Sequence, residues 1–233
     1  MINALHQLLQ WFNDPANWRG VNGVPHRVAE HLWIWAWAMA IASAIGVLGG
    51  LVLGRSKRSG VFTINVVNIG RAIPSFAVLV LAVSWLGFSN TPVVFALVLL
   101  ALPPIFTFTF TGVRQVDPAT VEAARGMGMT DARVLRSVQL PLALPLILNG
   151  LRLSSAAVLS TVPLAAVVAG GGLGRYVIDG FAGQDYAEVG AGVTVVVFLV
   201  VVNELVFAAL TRASSGATRR PRSASRRDAA ATS

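Results

Sequence analysis

Two sets of residues in this chain have types and spacing that could do work: a polar island at 114–141, and a few charges set inside long apolar runs. The island carries Glu122-Ala123-Ala124-Arg125-Gly126-Met127-Gly128 and runs on to Leu140-Pro141. Flanked by apolar sequence on both sides, a polar, helix-forming segment of this kind reads as a docking surface rather than a plain connection. The inset charges are Arg71, Arg152 and Glu204. Counting from the inner ends of their apolar runs, Glu204 lies about 11 Å deep, Arg152 about 14 Å and Arg71 about 15 Å at the helical rise. A lone carboxylate at such depth is costly, so Glu204 is expected to pair with Arg152 or Arg71 near a gate. The alternative is that each group snorkels to the interface.

Other chemistries find little support. The only lysine, Lys57, stands between Ser56 and Arg58, so no Gly-Lys-Ser/Thr phosphate loop exists and ATP must be bound elsewhere. Gly170-Gly171-Gly172-Leu173-Gly174 follows no βαβ pattern. His6, His26 and His31 all fall in the N-terminal part, and no His/Asp/Glu cluster has metal-ligand spacing. None of the serines within apolar runs has a base in its own segment. Cysteine is absent, which removes thiol chemistry and disulfides. Ser154, Ser155, Ser160 and Thr161 either line a polar pathway or bridge helices by hydrogen bonds. Trp33 and Trp37 share a helix face opposite Trp35, which suits an interfacial aromatic belt better than a cation cage.

The island must be positioned by local elements. Asp117 is a natural N-cap with Pro118 at the first helical position, and Gly126 or Gly128 can end that helix. Thr130 offers a second N-cap, with Asp131 at the positive end of the new helix. Leu140-Pro141 is expected to close it, because proline disfavours helical backbone at the residue before it. The expectation is a short helix, a glycine turn and a second short helix.

Around the island the chain is that of a membrane protein: 55% of its 233 residues are hydrophobic and 12% charged, with mean hydropathy +0.69. Apolar runs recur at 32–54, 61–87, 92–112, 143–169 and 189–211, each of about the 20 residues a bilayer crossing requires. They are continuous rather than alternating, which argues against a barrel. The net charge of +8 does not imply nucleic acid. Its basic clusters at 55–58, across the island and after 211 all fall on one side of a five-span chain, which is the cytoplasm by the positive-inside rule. The N-terminus is then outside. No cleavable leader is apparent. Ile2, Leu5, Leu9 and Phe12 have helical spacing, suggesting a helix lying on the outer lipid surface. The Ser/Ala/Arg-rich tail is expected to be disordered and to meet anionic headgroups.

The island resembles the EAA motif of ABC-importer permeases: Glu-Ala-Ala, three residues, Gly, nine residues, an aliphatic (Val138), one residue, Leu-Pro. Further stretches are similar to glycine betaine, carnitine and choline permeases. These are Gly70-Arg71-Ala72-Ile73-Pro74-Ser75-Phe76, Val116-Asp117-Pro118, Gly126-Met127-Gly128-Met129, Gly150-Leu151-Arg152 and Gly171-Gly172-Leu173-Gly174. Asn203-Glu204 departs from the single Asp expected late in the last span.

The resemblance implies an all-α integral membrane protein with five transmembrane helices and a cytoplasmic coupling-helix elbow between the third and fourth. The domains would be an outer segment 1–29, a transmembrane domain 30–211 with its coupling loop at 114–141, and a cytoplasmic tail 212–233. Glu122, Ala123, Ala124, Gly128, Leu140 and Pro141 would meet an ABC ATPase. Arg71, Pro74, Ser75, Ser154, Ser155 and Glu204 are candidates for a path or gate. The chain itself would hold no cofactor, ATP being bound by the partner. A second permease, identical or paralogous, and an extracytoplasmic substrate-binding protein would complete an importer of compatible solutes, with membrane lipid around it and no nucleic acid. The alternatives are an importer of an amino acid such as methionine and, from another class, an ion-coupled secondary transporter.

Overall fold

The computed structural model describes residues 2–55, 75–168 and 171–216, all of whose regular elements are helical. An N-terminal helix α1 (Ile2–Asn13) and a 3₁₀ turn (Pro15–Trp18) precede α2 (Val24–Gly54). Then come α3 (Ser75–Leu86), α4 (Asn90–Arg114) and two short helices, α5 (Pro118–Gly126) and α6 (Asp131–Val134). A π-helical turn (Leu135–Gln139) joins α6 to α7 (Leu140–Thr161). After a 3₁₀ turn (Val162–Leu164) follow α8 (Ala165–Val168), α9 (Gly174–Gly183) and α10 (Tyr186–Gly216).

Among the described residues, four helical stretches are long and apolar enough to cross a membrane: Val24–Gly54, Asn90–Arg114, Asp131–Val168 and Tyr186–Ser214. The expected second span, 61–87, lies largely outside the described residues, as do Arg71 and Pro74; α3 is its final part. Helix α2 starts ahead of residue 30 and α10 runs past 211 to Gly216, so both helices overrun the expected boundaries. Residues 217–233 of the basic tail are outside the described residues.

The core is the seam between α2 and α4, backed by α7. Gly46, Gly50 and Gly54 form a ridge on α2 at four-residue spacing, and Ile105, Thr109 and Val113 of α4 fill it in the same register. A Cβ at Gly50 would meet the Thr109 Cβ at 2.6 Å, so the backbones approach as only a small-residue stripe allows. Gly150 of α7 repeats the device against Phe108, where an added Cβ would lie 2.7 Å from the Phe108 Cβ. Pro103 and Pro104 sit inside α4 without ending it, and the Thr107 hydroxyl donates to the Pro103 carbonyl at 2.7 Å. Ile34, Ala38, Ala42, Ala101, Ile105 and Val158 complete this core, each at most 1% exposed.

Candidate functional site

The polar island emerges from one end of this bundle as two helices at a glycine turn. Asp117 caps α5 by accepting from the Ala119 amide at 3.0 Å, with Pro118 at the first position. The helix ends in a Schellman arrangement: the Met129 amide donates to the Ala124 carbonyl and the Gly128 amide to the Arg125 carbonyl. Gly128 takes φ +83° there, which only glycine adopts at no cost, so Gly128 rather than Gly126 is the residue that turns the chain. The Thr130 hydroxyl accepts from the Arg133 amide and opens α6.

The structure corrects the expected end of the second helix. Leu140-Pro141 does not close it: Leu140 has φ −63° and ψ −47°, and helix continues through Pro141 into α7. The five-residue π turn is the reason. The Leu140 amide donates to the Leu135 carbonyl, a five-residue step, and this shift of register just ahead of Pro141 accommodates a residue with no N–H to give. The second arm is thus the first part of one helical stretch, Asp131–Val168.

Glu122, Ala123, Gly126, Met127 and Gly128 are exposed, Met127 at 73%. Among the described residues Glu122 has no ion-pair partner. Ala124, by contrast, is 3% exposed and turned into the protein, because successive helical residues lie about 100° apart. The two alanines therefore do not form one outward small-residue face. Leu140 is half-buried and Pro141 exposed. Arg125 donates to Asp131 at 3.0 Å, and Arg55 at the end of α2 lies 3.8 Å from the same carboxylate. That carboxylate ties the elbow to the bundle.

A second group of polar residues lies between α2, α7 and α10. Arg152 Nε donates to Glu204 Oε2 at 2.6 Å, and the pair is half-buried. Beside it Trp35 Nε1 donates to Ser155 Oγ at 3.1 Å, and Ser155 donates to Asn203 Oδ1 at 2.5 Å. Ser154, also fully buried, donates to the Ala101 carbonyl of α4 at 2.8 Å. Within the chain both serines bridge helices. Ser75 starts α3. Sequence reasoning missed Asn203 and Trp35 as members, although two adjacent polar residues late in an apolar run were the available signal. Trp33 and Trp37 face outward from α2 with ring centroids 5.7 Å apart, opposite Trp35 as their spacing predicts.

A third group sits at the far end of the bundle, where no role was expected. Glu30 of α2 accepts from Arg27 at 2.9 Å and from the Gly172 amide at 2.8 Å. His31, fully buried, holds its Nε2 3.2 Å from the Leu159 carbonyl. The Tyr176 hydroxyl donates to the Asn22 carbonyl at 2.6 Å, and burial pushes this phenol up to about 12, so it remains a donor.

An exposed helix–glycine–helix elbow thus projects from one end of a bundle whose long helices are apolar enough to cross a membrane. The profile of the family described as "Binding-protein-dependent transport system inner membrane component" matches residues 32–220. The chain belongs to this family. Among its relatives, the carnitine transport permease protein OpuCB of Listeria monocytogenes is 36% identical over 151 residues, 65% of this chain and 69% of that one. The choline transport system permease protein OpuBB of Bacillus subtilis is 33% identical over 187 residues, 80% of this chain and 86% of that one. In fold, the chain resembles an inward-facing MetNI methionine ABC transporter, with TM-score 0.70 and 22% identity over 79% of this chain and 93% of the other. Membership makes it a multi-pass inner-membrane permease and not an enzyme. It also implies two classes of partner, an ATPase and a substrate-binding protein.

Proposed function

We propose that this chain is the membrane-spanning subunit of an importer for compatible solutes carrying a quaternary ammonium group, such as choline, carnitine or glycine betaine. The observation that carries the reading is the similarity to carnitine and choline permeases across most of both chains. Residues 61–87 supply a fifth span ending in α3, which places the N-terminus outside and the C-terminus in the cytoplasm. The elbow from Asp117 to Pro141 is the coupling segment. Glu122, Ala123, Gly128, Leu140 and Pro141 lie at or near its contact with the ATPase, which binds the ATP, and Ala124 supports them from inside. The Arg152–Glu204 pair holds α7 to α10 near the inner gate, with Arg71, Pro74 and Ser75 bordering the path. Helix α1 rests on the outer lipid surface through Leu5 and Leu9, both more than half exposed. The open apolar faces of α3 and α10 meet lipid and a second permease, identical or paralogous.

The test is uptake into proteoliposomes carrying the permease with its ATPase and binding protein. Radiolabelled choline, carnitine and glycine betaine should accumulate only with ATP inside. Accumulation of methionine in their place would overturn the substrate class. Uptake driven by an ion gradient without ATP would overturn the transporter class.

A further inference from the structure

At the end of the bundle opposite the elbow, one carboxylate joins two segments far apart in sequence. Between α7 and α10 the chain leaves the long helix, turns through Gly171-Gly172-Leu173 and forms the short helix α9. Glu30 reaches across from α2, and its Oε2 accepts from the Gly172 amide at 2.8 Å, a contact spanning 142 positions of sequence. Arg27, one turn earlier on α2, donates to the same oxygen at 2.9 Å, and His26 lies 3.4 Å from Oε1. Arg27 also donates to Asn22 at 2.7 Å, and Asn22 takes the Tyr176 hydroxyl of α9. A charge-assisted pair thus orients the carboxylate that grips the turn.

The backbone is shaped to receive it. A Cβ at Gly171 would lie 2.5 Å from Glu30 Oε2 and 2.7 Å from its Cδ, so any other residue there would push the carboxylate away. Gly172 has φ +83° and aims its amide at Glu30, with its own missing side chain filled by His31. Gly174 sits so close to the Pro163 carbonyl that no side chain fits between them. Beside the turn Leu173, Val24 and Tyr176 form a small apolar core, separate from the main one, to which α9 contributes Tyr176.

We propose that Glu30 is a positioning residue for transport: through the Gly172 amide it clamps α9 to α2 and holds the substrate-receiving end of the permease closed. This rests on the importer reading, which makes the end opposite the elbow the side where solute arrives. Because the chain has no cysteine, spin labels can be placed uniquely at the exposed positions Val21 and Ala182. In the purified full chain in nanodiscs, the label distance should be narrow in the parent and in Glu30→Gln, whose amide oxygen still accepts from Gly172. Glu30→Ala should broaden or lengthen it by several ångströms, and Gly171→Val should do the same with Glu30 intact. In proteoliposomes with ATPase and binding protein, Glu30→Ala should raise ATP hydrolysis without substrate several-fold and cut uptake at least tenfold, with Glu30→Gln recovering much of both. An unchanged distance in both Glu30→Ala and Gly171→Val overturns the clamp. Shifted distances with wild-type uptake and ATPase coupling overturn its role in transport. Failure of the parent chain to move any quaternary ammonium solute would count against the importer reading and leave the distance result intact.

Discussion

Arg152 and Glu204 meet between α7 and α10, with the guanidinium Nε 2.6 Å from Oε2, although 52 residues separate them. Neither α7 nor α10 carries another charged side chain near this level, so each is the other's only compensation within the described residues. Removing one partner therefore strands the other. Glu204→Gln keeps an acceptor for the guanidinium, whereas Glu204→Leu leaves the charge unpaired. Thermal unfolding in detergent should rank wild type above Glu204→Gln and that above Glu204→Leu, with Arg152→Leu added to Glu204→Leu recovering part of the loss. A Gln variant less stable than the Leu variant would show that the pair does not hold the helices.

Gly128 and Gly126 stand two positions apart with open space around both, and only Gly128 has positive φ. Gly128→Val should abolish uptake at normal membrane insertion, since a β-branched residue resists this backbone at a cost of about 1–2 kcal/mol or more and crowds the docked surface. Gly126→Ala should leave transport near wild type. Equal uptake by both variants would remove Gly128 from the coupling contact.

The glycine ridge of α2 makes a packing prediction. Gly50→Val would drive methyl groups into Thr109 and should destabilise the bundle by about 1–3 kcal/mol. Gly49→Ala, whose Cβ would meet only the Phe106 ring edge at 3.2 Å, should cost far less. Denaturation midpoints of the two variants decide the matter; the reverse order would place the seam elsewhere.

Ser155 joins Trp35 to Asn203 inside the protein, and Asn203 Nδ2 already has no partner among the described residues. Ser155→Ala would strand the amide oxygen as well, at a cost of about 1–3 kcal/mol. Ser155→Thr should retain the bond. A Ser155→Ala variant as stable as wild type would mean that the three-residue chain contributes nothing to holding α2, α7 and α10.

Orientation can be checked with reporters. A cytoplasm-active reporter fused after Arg220 should be active, and one fused before residue 28 silent, because the basic residues of the short loops concentrate at the elbow end. The opposite pair of activities would reverse the assignment of the two ends.

Local chemistry was readable where a few neighbouring residues decide the outcome. Asp117, Thr130 and Gly128 each satisfy or release backbone groups within five positions, so their caps and turn follow from residue type. The depth argument for Glu204 narrowed its partner to Arg152 or Arg71, because a carboxylate in an apolar run has few ways to be compensated, and Arg152 is the one found beside it. Leu140-Pro141 misled, since the rule that proline ends helices omits the π turn that shifts the hydrogen-bond register ahead of it. Glu30 and the glycine turn were illegible for another reason: their contact depends on two segments brought together by the whole bundle. The ridge at Gly46, Gly50 and Gly54 was on display at four-residue spacing and went unread. The hydrogen bonds of Ser154 and Ser155 could be assigned only by seeing which carbonyl or amide lay opposite each hydroxyl.

For the coupling role proposed for the elbow, the helical run from Asp131 to Thr161, continuous through its π turn, is a mechanical advantage. From Asp131 to Arg152 is about 32 Å along a helix axis, with no loop between them to absorb a displacement. On that proposal, a tilt applied at the ATPase side would arrive at the Arg152–Glu204 pair, at Ser155 and then at the Leu159 carbonyl beside His31 as movement of a single rod. Ahead of the 3₁₀ turn at Val162–Leu164, the one departure from α-helical pitch in that rod is the wider π turn at Leu135–Gln139. Stiffening or softening those five residues should therefore tune how much of each ATP-driven stroke reaches the far side of the membrane.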